Sequence, residues 1–151
     1  MFRGVNAINM DSKGRFAMPT RYRDRIAEIS NNQMIATIDT QERCLLIYPL
    51  PEWEQIESQI AALPAYNPAT RRIQRLLLGH ATELEIDGAG RVLLSQPLRE
   101  YAYLDKKLIL LGQGKKFELW DEDHWTKRRD EYLDEDALGQ DVPEELMNIA
   151  L

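Results

Sequence analysis

Apolar and polar residues alternate in two short segments of the chain, and each segment follows a sequence that favours a turn. Phe16 and Met18 occupy alternate positions in the first segment, and Val92 and Leu94 do so in the second. A period of two residues is typical of a β-strand that buries one face. Because apolar residues also precede each turn, we expect two β-hairpins. Their strands are predicted at residues 2–9 and 15–18 and at residues 82–86 and 91–94.

The remaining pattern predicts further strands and several amphipathic helices. Tyr22, Ile26 and Ile29 recur with a helical period, which indicates a helix over residues 20–29. Thr20 and Ser95 are expected to cap the helices that follow the two hairpins. Further strands are predicted at residues 34–38, 44–48, 107–111 and 116–120, and further helices at residues 52–63, 70–80, 97–101, 121–133 and 143–149.

The turn sequence of the first hairpin occurs a second time in the chain. Asp11-Ser12-Lys13-Gly14-Arg15 aligns with Asp87-Gly88-Ala89-Gly90-Arg91, and the same alignment places Arg23 over Arg99. Further along, Leu45-Leu46-Ile47-Tyr48 aligns with Phe117-Glu118-Leu119-Trp120, because the second copy is slightly shorter. An internal repeat of this kind indicates a duplicated structural unit. A unit of about half the chain would bury too little apolar surface alone, so the two copies are expected to share one core.

Each copy of the turn sequence has a physical reason to form a tight loop. The carboxylates of Asp11 and Asp87 can accept hydrogen bonds from backbone N–H groups two residues further along. Gly14 and Gly90 can adopt a positive φ because they carry no Cβ atom. We therefore expect these aspartates and glycines to stabilise the two loops.

Arg15 and Arg91 end the two loops, and their position admits two interpretations. Each side chain either projects beyond the sheet toward a partner or pairs with the aspartate of its loop and only locks the turn. An acid–base role for Asp11 and Asp87 is disfavoured, because an arginine four residues later would lower the carboxyl pKa and leave a poor proton donor. We expect no catalytic residue and no enzymatic activity.

The charge of the chain is unevenly distributed. The net charge is −6, yet residues 1–25 carry six basic and two acidic side chains, a net charge of +4. Residues 121–151 carry eleven acidic and three basic side chains, a net charge of −8. Since the Debye length is about 8 Å at physiological salt, a phosphate responds to the nearest patch. The N-terminal surface can therefore attract a polyanion, whereas the acidic tail beyond Asp134 is expected to be mobile.

Several classes of protein are disfavoured by the composition. No apolar run is long enough to cross a bilayer, and the N-terminus lacks the apolar core of a signal peptide. Cys44 is the single cysteine, which excludes a disulfide framework and favours a buried thiol in a cytoplasmic protein. His80 and His124 have no companions at metal-ligand spacing. We expect no metal ion, no cofactor, no membrane contact and no small-molecule substrate.

The first loop suits contact with DNA. Lys13 can pair with a backbone phosphate, and Gly14 allows the backbone to approach closely. Arg15 can form a bidentate contact with the O6 and N7 atoms of guanine in the major groove. The second loop has Ala89 where the first has Lys13, so it should contact DNA less strongly or serve assembly. A basic stripe on the helix predicted at residues 70–80 either faces phosphate or is solvated. It consists of Arg71, Arg72 and Arg75.

Segments distributed over the chain up to about Tyr132 together closely resemble the MraZ family of transcriptional regulators. They are Asp11–Arg15 with Met18–Arg23, Pro49–Trp53, Arg72–Ala81, and Asp87–Arg91 with Phe117–Trp120. The resemblance implies a mixed α+β, mainly β fold, in which two AbrB-like (swapped-hairpin, double-psi-barrel-related) repeats form an intramolecular pseudo-dimer with linking and C-terminal helices. The chain departs from the family pattern at Ser95-Gln96-Pro97, where proline more often follows the strand directly. The implied domains are residues 1–52 and 81–124 for the repeats, 53–80 for the linking helices, and 125–151 for the C-terminal helix and acidic tail.

The same resemblance implies a sequence-specific DNA-binding regulator. Family members form homo-oligomeric rings, bind G-rich direct repeats in double-stranded DNA, and repress their own gene together with the bacterial division and cell-wall gene cluster. On matching positions, Lys13 and Arg15 read DNA, Arg3 is a neighbouring candidate, and Arg91 is the counterpart in the second copy. A cytoplasmic, nucleoid-associated protein is expected. The alternative is an interaction module of antitoxin type, in which helix 52–63 or the tail binds another protein and DNA contact is secondary.

Overall fold

A computed structural model of the protein describes residues 1–134 and 142–151. The strands are β1 (Phe2–Asn9), β2 (Arg15–Ala17), β3 (Gln33–Ile38), β4 (Leu45–Pro49), β5 (Thr82–Glu85), β6 (Arg91–Leu93), β7 (Lys107–Gly114) and β8 (Phe117–Asp121). The helices are α1 (Thr20–Ser30), α2 (Leu50–Ala61), α3 (Pro68–Ile73), α4 (Gln96–Tyr101), α5 (Glu122–Leu133) and α6 (Glu144–Met147). This mixed α+β architecture, dominated by sheet, confirms the predicted fold class at that level.

The strands form two antiparallel sheets that combine both halves of the chain. The larger sheet has six strands in the order β1-β7-β8-β4-β3-β5, and the smaller sheet consists of β2 and β6. Strand β1 from the first half pairs with β7 from the second, while β5 from the second half pairs with β3 from the first. Each half therefore contributes its first strand to the hairpin of the other half, so neither half completes its sheet alone.

The two repeats are related by a pseudo-two-fold axis that can be located from the strand register. In the smaller sheet Phe16 lies opposite Val92, which is its own counterpart in the aligned repeats. In the larger sheet Leu46 lies opposite Glu118, which is likewise its counterpart. A residue faces its own counterpart only where the axis passes between them. The axis therefore runs through the β2–β6 pair and the β4–β8 pair.

The two predicted hairpins are wrong in their pairing, although the strands themselves lie close to the predicted positions. Among the described residues, β1 and β2 do not pair, and the nearest contact of this kind is an isolated bridge between Met10, just after β1, and Phe16 of β2. In the same part of the chain, β5 pairs only with β3, and β6 pairs only with β2. Alternation of apolar residues identifies a strand and its buried face but carries no information about a distant partner. Each loop consequently carries the chain from one sheet to the other.

The helices begin and end within a few residues of the predicted positions, but two predicted caps are absent. Pro19 occupies the N-cap position of α1, and Thr20 is the first helical residue. Ser95 is at the N-cap position of α4, but its side chain makes no capping hydrogen bond with any described residue. Asp121 does cap α5, because its carboxylate accepts a hydrogen bond from the N–H of His124 at 3.1 Å.

The helix predicted at residues 70–80 is divided in two. Helix α3 continues directly into a π-helical turn at Gln74–Leu78. The hydroxyl of Thr37 donates a hydrogen bond to the carbonyl of Leu77 at 2.7 Å, which supplies a partner for that carbonyl. A Cβ atom on Gly79 would lie 2.1 Å from the carbonyl oxygen of Arg75, so only glycine fits at the end of the turn.

The main hydrophobic core draws on both halves, as expected for two copies that share one core. It includes Phe16 and Ile47 from the first half with Val92 and Phe117 from the second, all at most 1% exposed. Within the described residues, no helix is long and apolar enough to cross a membrane. The predicted short helix near the C-terminus is present as α6, whereas the acidic tail at residues 135–141 lies outside the described residues.

Candidate nucleic-acid interface

The first loop, residues 11–15, is organised by the carboxylate of Asp11. Its Oδ1 atom accepts hydrogen bonds from the backbone N–H groups of Lys13 at 3.0 Å and Arg15 at 2.9 Å. Its Oδ2 atom accepts a hydrogen bond from Nε of Arg15 at 2.8 Å. The backbone bond from Arg15 is the largest cause of a lowered pKa for Asp11. The carboxylate therefore stays ionised at neutral pH and is a fixed part of the loop.

The second loop, residues 87–91, repeats this arrangement, but its arginine lies further from the aspartate. Oδ1 of Asp87 accepts the backbone N–H groups of Ala89 and Arg91, both at 2.9 Å, and the bond from Arg91 is the largest cause of its lowered pKa. Nε of Arg91 lies 3.4 Å from Oδ2 of Asp87, which makes an ion pair. That nitrogen is buried and has no hydrogen-bond partner among the described residues. The second arginine is therefore held less firmly than the first.

Both interpretations of Arg15 describe part of its geometry. Its Nε atom pairs with Asp11, as the turn-locking interpretation predicts. Among the described residues, however, neither of its terminal Nη nitrogens makes a hydrogen bond, and its side chain is 28% exposed. A guanidinium carries five donors, so one edge can be fixed while the other remains available. Asp11 thus orients Arg15 and leaves donors for a second partner.

The two loops lie at opposite ends of the β2–β6 ribbon. The N–H of Leu94, just after β6, donates to the carbonyl of Gly14 at 2.9 Å, and the N–H of Met18, just after β2, donates to the carbonyl of Gly90 at 2.9 Å. Each loop is therefore tied to the strand of the other repeat. The spacing between the loops is set by the ribbon.

The ribbon presents four side chains on its outer face. Phe16 and Val92 point inward and are buried, so the alternating residues Arg15, Ala17, Arg91 and Leu93 point outward. We call these four residues the ribbon face. Arg15 lies opposite Leu93, and Ala17 lies opposite Arg91. The two arginines are diagonal neighbours, whose separation in an antiparallel pair is about 7–8 Å.

Two helical arginines cover the loop glycines, a feature that sequence reasoning missed. Gly14 has a φ of +86° and Gly90 a φ of +79°. A Cβ atom on Gly14 would lie 2.9 Å from the guanidinium carbon of Arg99 in α4, and one on Gly90 would lie 2.3 Å from that of Arg23 in α1. The guanidinium group of an arginine from the other repeat therefore packs over each loop glycine. The available signal was the alignment of these two arginines with each other in the same register as the loops.

Arg3 is placed apart from the loops. It is an exposed residue of β1, opposite Gln113 of β7. Asp11 lies eight positions further along a mostly extended chain, which corresponds to about 25 Å. The structure thus brings Lys13, Gly14 and Arg15 together, adds Arg91 across the ribbon, and leaves Arg3 as a separate basic position.

Another group of polar side chains surrounds the single cysteine. Within the described residues, Asp39, Cys44 and Glu118 offer ligand atoms within 4.8 Å of one another. Burial, followed by the charge of Glu118, raises the pKa of the Cys44 thiol well above its usual range. The thiol lies 3.6 Å from Oδ2 of Asp39, to which it donates a hydrogen bond. In these contacts Cys44 is a buried cysteine whose thiol is hydrogen-bonded to a neighbouring carboxylate.

Comparison with known sequences identifies relatives over the full length. A family model described as "MraZ protein, putative antitoxin-like" matches residues 1–76 and 77–141. A protein of Halorhodospira halophila (strain DSM 244 / SL1), named transcriptional regulator MraZ, is 53% identical over 152 residues that cover the whole of both chains. A protein of Hydrogenovibrio crunogenus (strain DSM 25203 / XCL-2) with the same name is 57% identical over 150 residues, which cover 99% of this chain and 98% of the relative.

Proposed function

Because this chain belongs to the MraZ family, we propose that it is a transcriptional regulator that binds specific sequences in double-stranded DNA through the ribbon face and the two loops. The observation that carries the proposal is the pair of arginines on one outer surface, each oriented by an aspartate of its own loop. Two-stranded β-ribbons fit the major groove, where bidentate arginine contacts discriminate guanine.

The charges around the loops support contact with a polyanion. The first loop contributes Lys13, which is exposed, and the helices behind the loops contribute the half-buried guanidinium groups of Arg23 and Arg99. The phosphate backbone attracts such a cluster over short distances, although the whole chain has a net charge of −6. Arg3 and Arg91 remain proposed DNA-contacting residues.

The proposed architecture is an intramolecular pseudo-dimer of two AbrB-like repeats of the swapped-hairpin type. The exchange of β1 and β5 between the halves supports it, as do the self-facing pairs on the pseudo-two-fold axis. The proposed division remains residues 1–52, 53–80, 81–124 and 125–151. The two segments that match the family model meet within the π-helical turn that links the repeats.

Assembly into a ring would supply the affinity that one subunit lacks. A single subunit presents only two arginines on its ribbon face, and each bidentate contact discriminates by about 1–3 kcal/mol. Once one subunit of an assembly has bound a duplex, the other subunits meet the neighbouring DNA repeats at a high effective concentration. Their contacts then add to the overall affinity, provided that the spacing of the DNA repeats matches that of the subunits. We therefore propose a homo-oligomeric ring on G-rich direct repeats, nucleoid-associated, that represses its own gene and the division and cell-wall gene cluster, as the family resemblance implies.

Replacing one arginine tests the proposed DNA contact. We expect Arg15→Ala to abolish specific binding to the duplex upstream of the chain's own coding sequence, because it removes a guanine-reading fork, while the mass of the assembly in solution stays unchanged. Arg129→Ala is a matched control, because Arg129 is an exposed arginine of α5 whose one ion pair among the described residues is with Asp130. Gel shifts with excess unlabelled competitor measure the effect. Nanomolar binding by Arg15→Ala would contradict the proposal.

An interaction module of antitoxin type is the second candidate, and the description of the matching family model favours it. In that case α2 or the C-terminal segment would bind another protein and DNA contact would be secondary. A DNA-binding measurement on the purified chain distinguishes the two candidates. The DNA-binding proposal expects the chain to bind its upstream duplex without another protein, and its affinity for that duplex to fall steeply as salt rises.

A further inference from the structure

Leu93 is a large apolar side chain on the ribbon face. Its side chain points outward from β6, and the residue is 58% exposed. In the β2–β6 register it lies directly opposite Arg15. A single exposed leucine is ordinary on a protein surface. Its place beside the arginine proposed to read DNA distinguishes it from the other exposed apolar residues.

The internal repeat shows that the fold does not need a bulky residue at this place. The counterpart of Leu93 in the first repeat is Ala17, which lies opposite Arg91. Both positions point outward, and the core is filled by the neighbours Val92 and Leu94, which are at most 1% exposed. The same strand geometry is therefore built once with leucine and once with alanine. Core packing therefore does not explain why position 93 carries a leucine.

We propose that Leu93 is a specificity-determining residue that contacts the C5-methyl group of a thymine next to the base pair read by Arg15. This inference rests on the proposed function. The thymine methyl is the one apolar group in the base code of the major groove. Residues opposite each other in an antiparallel pair have Cβ atoms about 4.5–5.5 Å apart, and base pairs rise by about 3.4 Å. A leucine opposite Arg15 therefore reaches a neighbouring base pair.

The two ends of the ribbon consequently read DNA unequally. The first end combines Lys13, Arg15 and Leu93, whereas the second combines Ala89, Arg91 and Ala17. The second end lacks both the loop cation and the apolar side chain. A subunit with pseudo-two-fold backbone symmetry thus recognises a sequence that is not a palindrome, with its thymine contact at one end.

Removal of the methyl group from the DNA tests the inference. The duplex immediately upstream of the chain's own coding sequence is amplified with dTTP or with dUTP, which replaces each thymine by its analogue without the methyl. We expect the wild-type protein to bind the uracil duplex about fourfold more weakly, the effect of one buried methyl group. Leu93→Ala is expected to bind both duplexes equally and at the weaker affinity. Leu63→Ala, which removes a 44% exposed leucine beyond α2, is expected to behave as wild type.

Each other outcome overturns the inference. If wild type and Leu93→Ala lose affinity equally on uracil DNA, or if neither loses any, Leu93 does not read a methyl group. A smaller assembly of Leu93→Ala in mass measurements would assign the side chain to a contact between copies. In these cases Arg15-dependent binding persists and the proposed function stands. If the wild-type protein shows no competitor-resistant binding to the thymine duplex, the proposed function itself fails.

Discussion

At the scale of single residues, the loops depend on glycine for two separate reasons. Gly14 has a φ of +86°, a conformation that L side chains rarely adopt. Its position also lies under the guanidinium of Arg99, so a Cβ atom would approach the guanidinium carbon within 2.9 Å. The first reason was predictable from the Asp-to-Arg loop sequence. The second was not, because the covering arginine belongs to the other repeat.

Substitution of this glycine should destabilise the protein. We expect Gly14→Ala to lower the free energy of unfolding by about 1–3 kcal/mol, the usual strain of a side chain in this region. Urea denaturation monitored by tryptophan fluorescence measures the change. Gly88→Ala is the matched control in the second loop, because Gly88 has no positive φ and no described heavy atom within 4 Å of an added Cβ. Equal free energies of unfolding for the two variants would show that neither backbone strain nor contact with Arg99 requires a glycine at position 14.

At the scale of elements, the smaller sheet is the support of the whole candidate interface. It consists of two strands of three residues each, and an isolated ribbon of this length is unstable in water. It persists because Phe16 and Val92, which face each other on the pseudo-two-fold axis, are both buried in the main core. The sequence predicted the strands because apolar alternation is local. It assigned the wrong partners because pairing between strands from opposite halves of the chain leaves no local pattern.

The inward residue of the ribbon should therefore couple stability to DNA binding. Phe16→Ala removes a side chain that is 1% exposed, and we expect a loss of about 3–5 kcal/mol in the free energy of unfolding. Chemical denaturation gives the value. Below the unfolding transition, DNA affinity is expected to fall as well, since both arginines stand on this ribbon. Ala17→Ser, an outward change on the same strand, should leave the stability within about 0.5 kcal/mol of wild type.

At the scale of the whole molecule, duplication within one chain allows the two ends of the interface to differ. The strands β1 and β5 cross between the halves, so the repeats hold each other in one fixed orientation. The net charge of −6 by itself argues against a polyanionic partner, but it hides a basic stretch in the first 25 residues. The repeat in the sequence revealed the two loops. Only the register of β2 with β6 revealed that their arginines share one face.

In the proposed function, the two arginines of the ribbon face bind DNA together. The most direct measurement is the equilibrium affinity of the Arg15→Ala/Arg91→Ala double variant for the chain's own upstream duplex, at fixed salt and beside wild type. Two lost bidentate contacts predict a loss of affinity of at least about thirtyfold, since each is worth about 1–3 kcal/mol. The same affinity for wild type and a folded double variant would contradict DNA binding by the ribbon face.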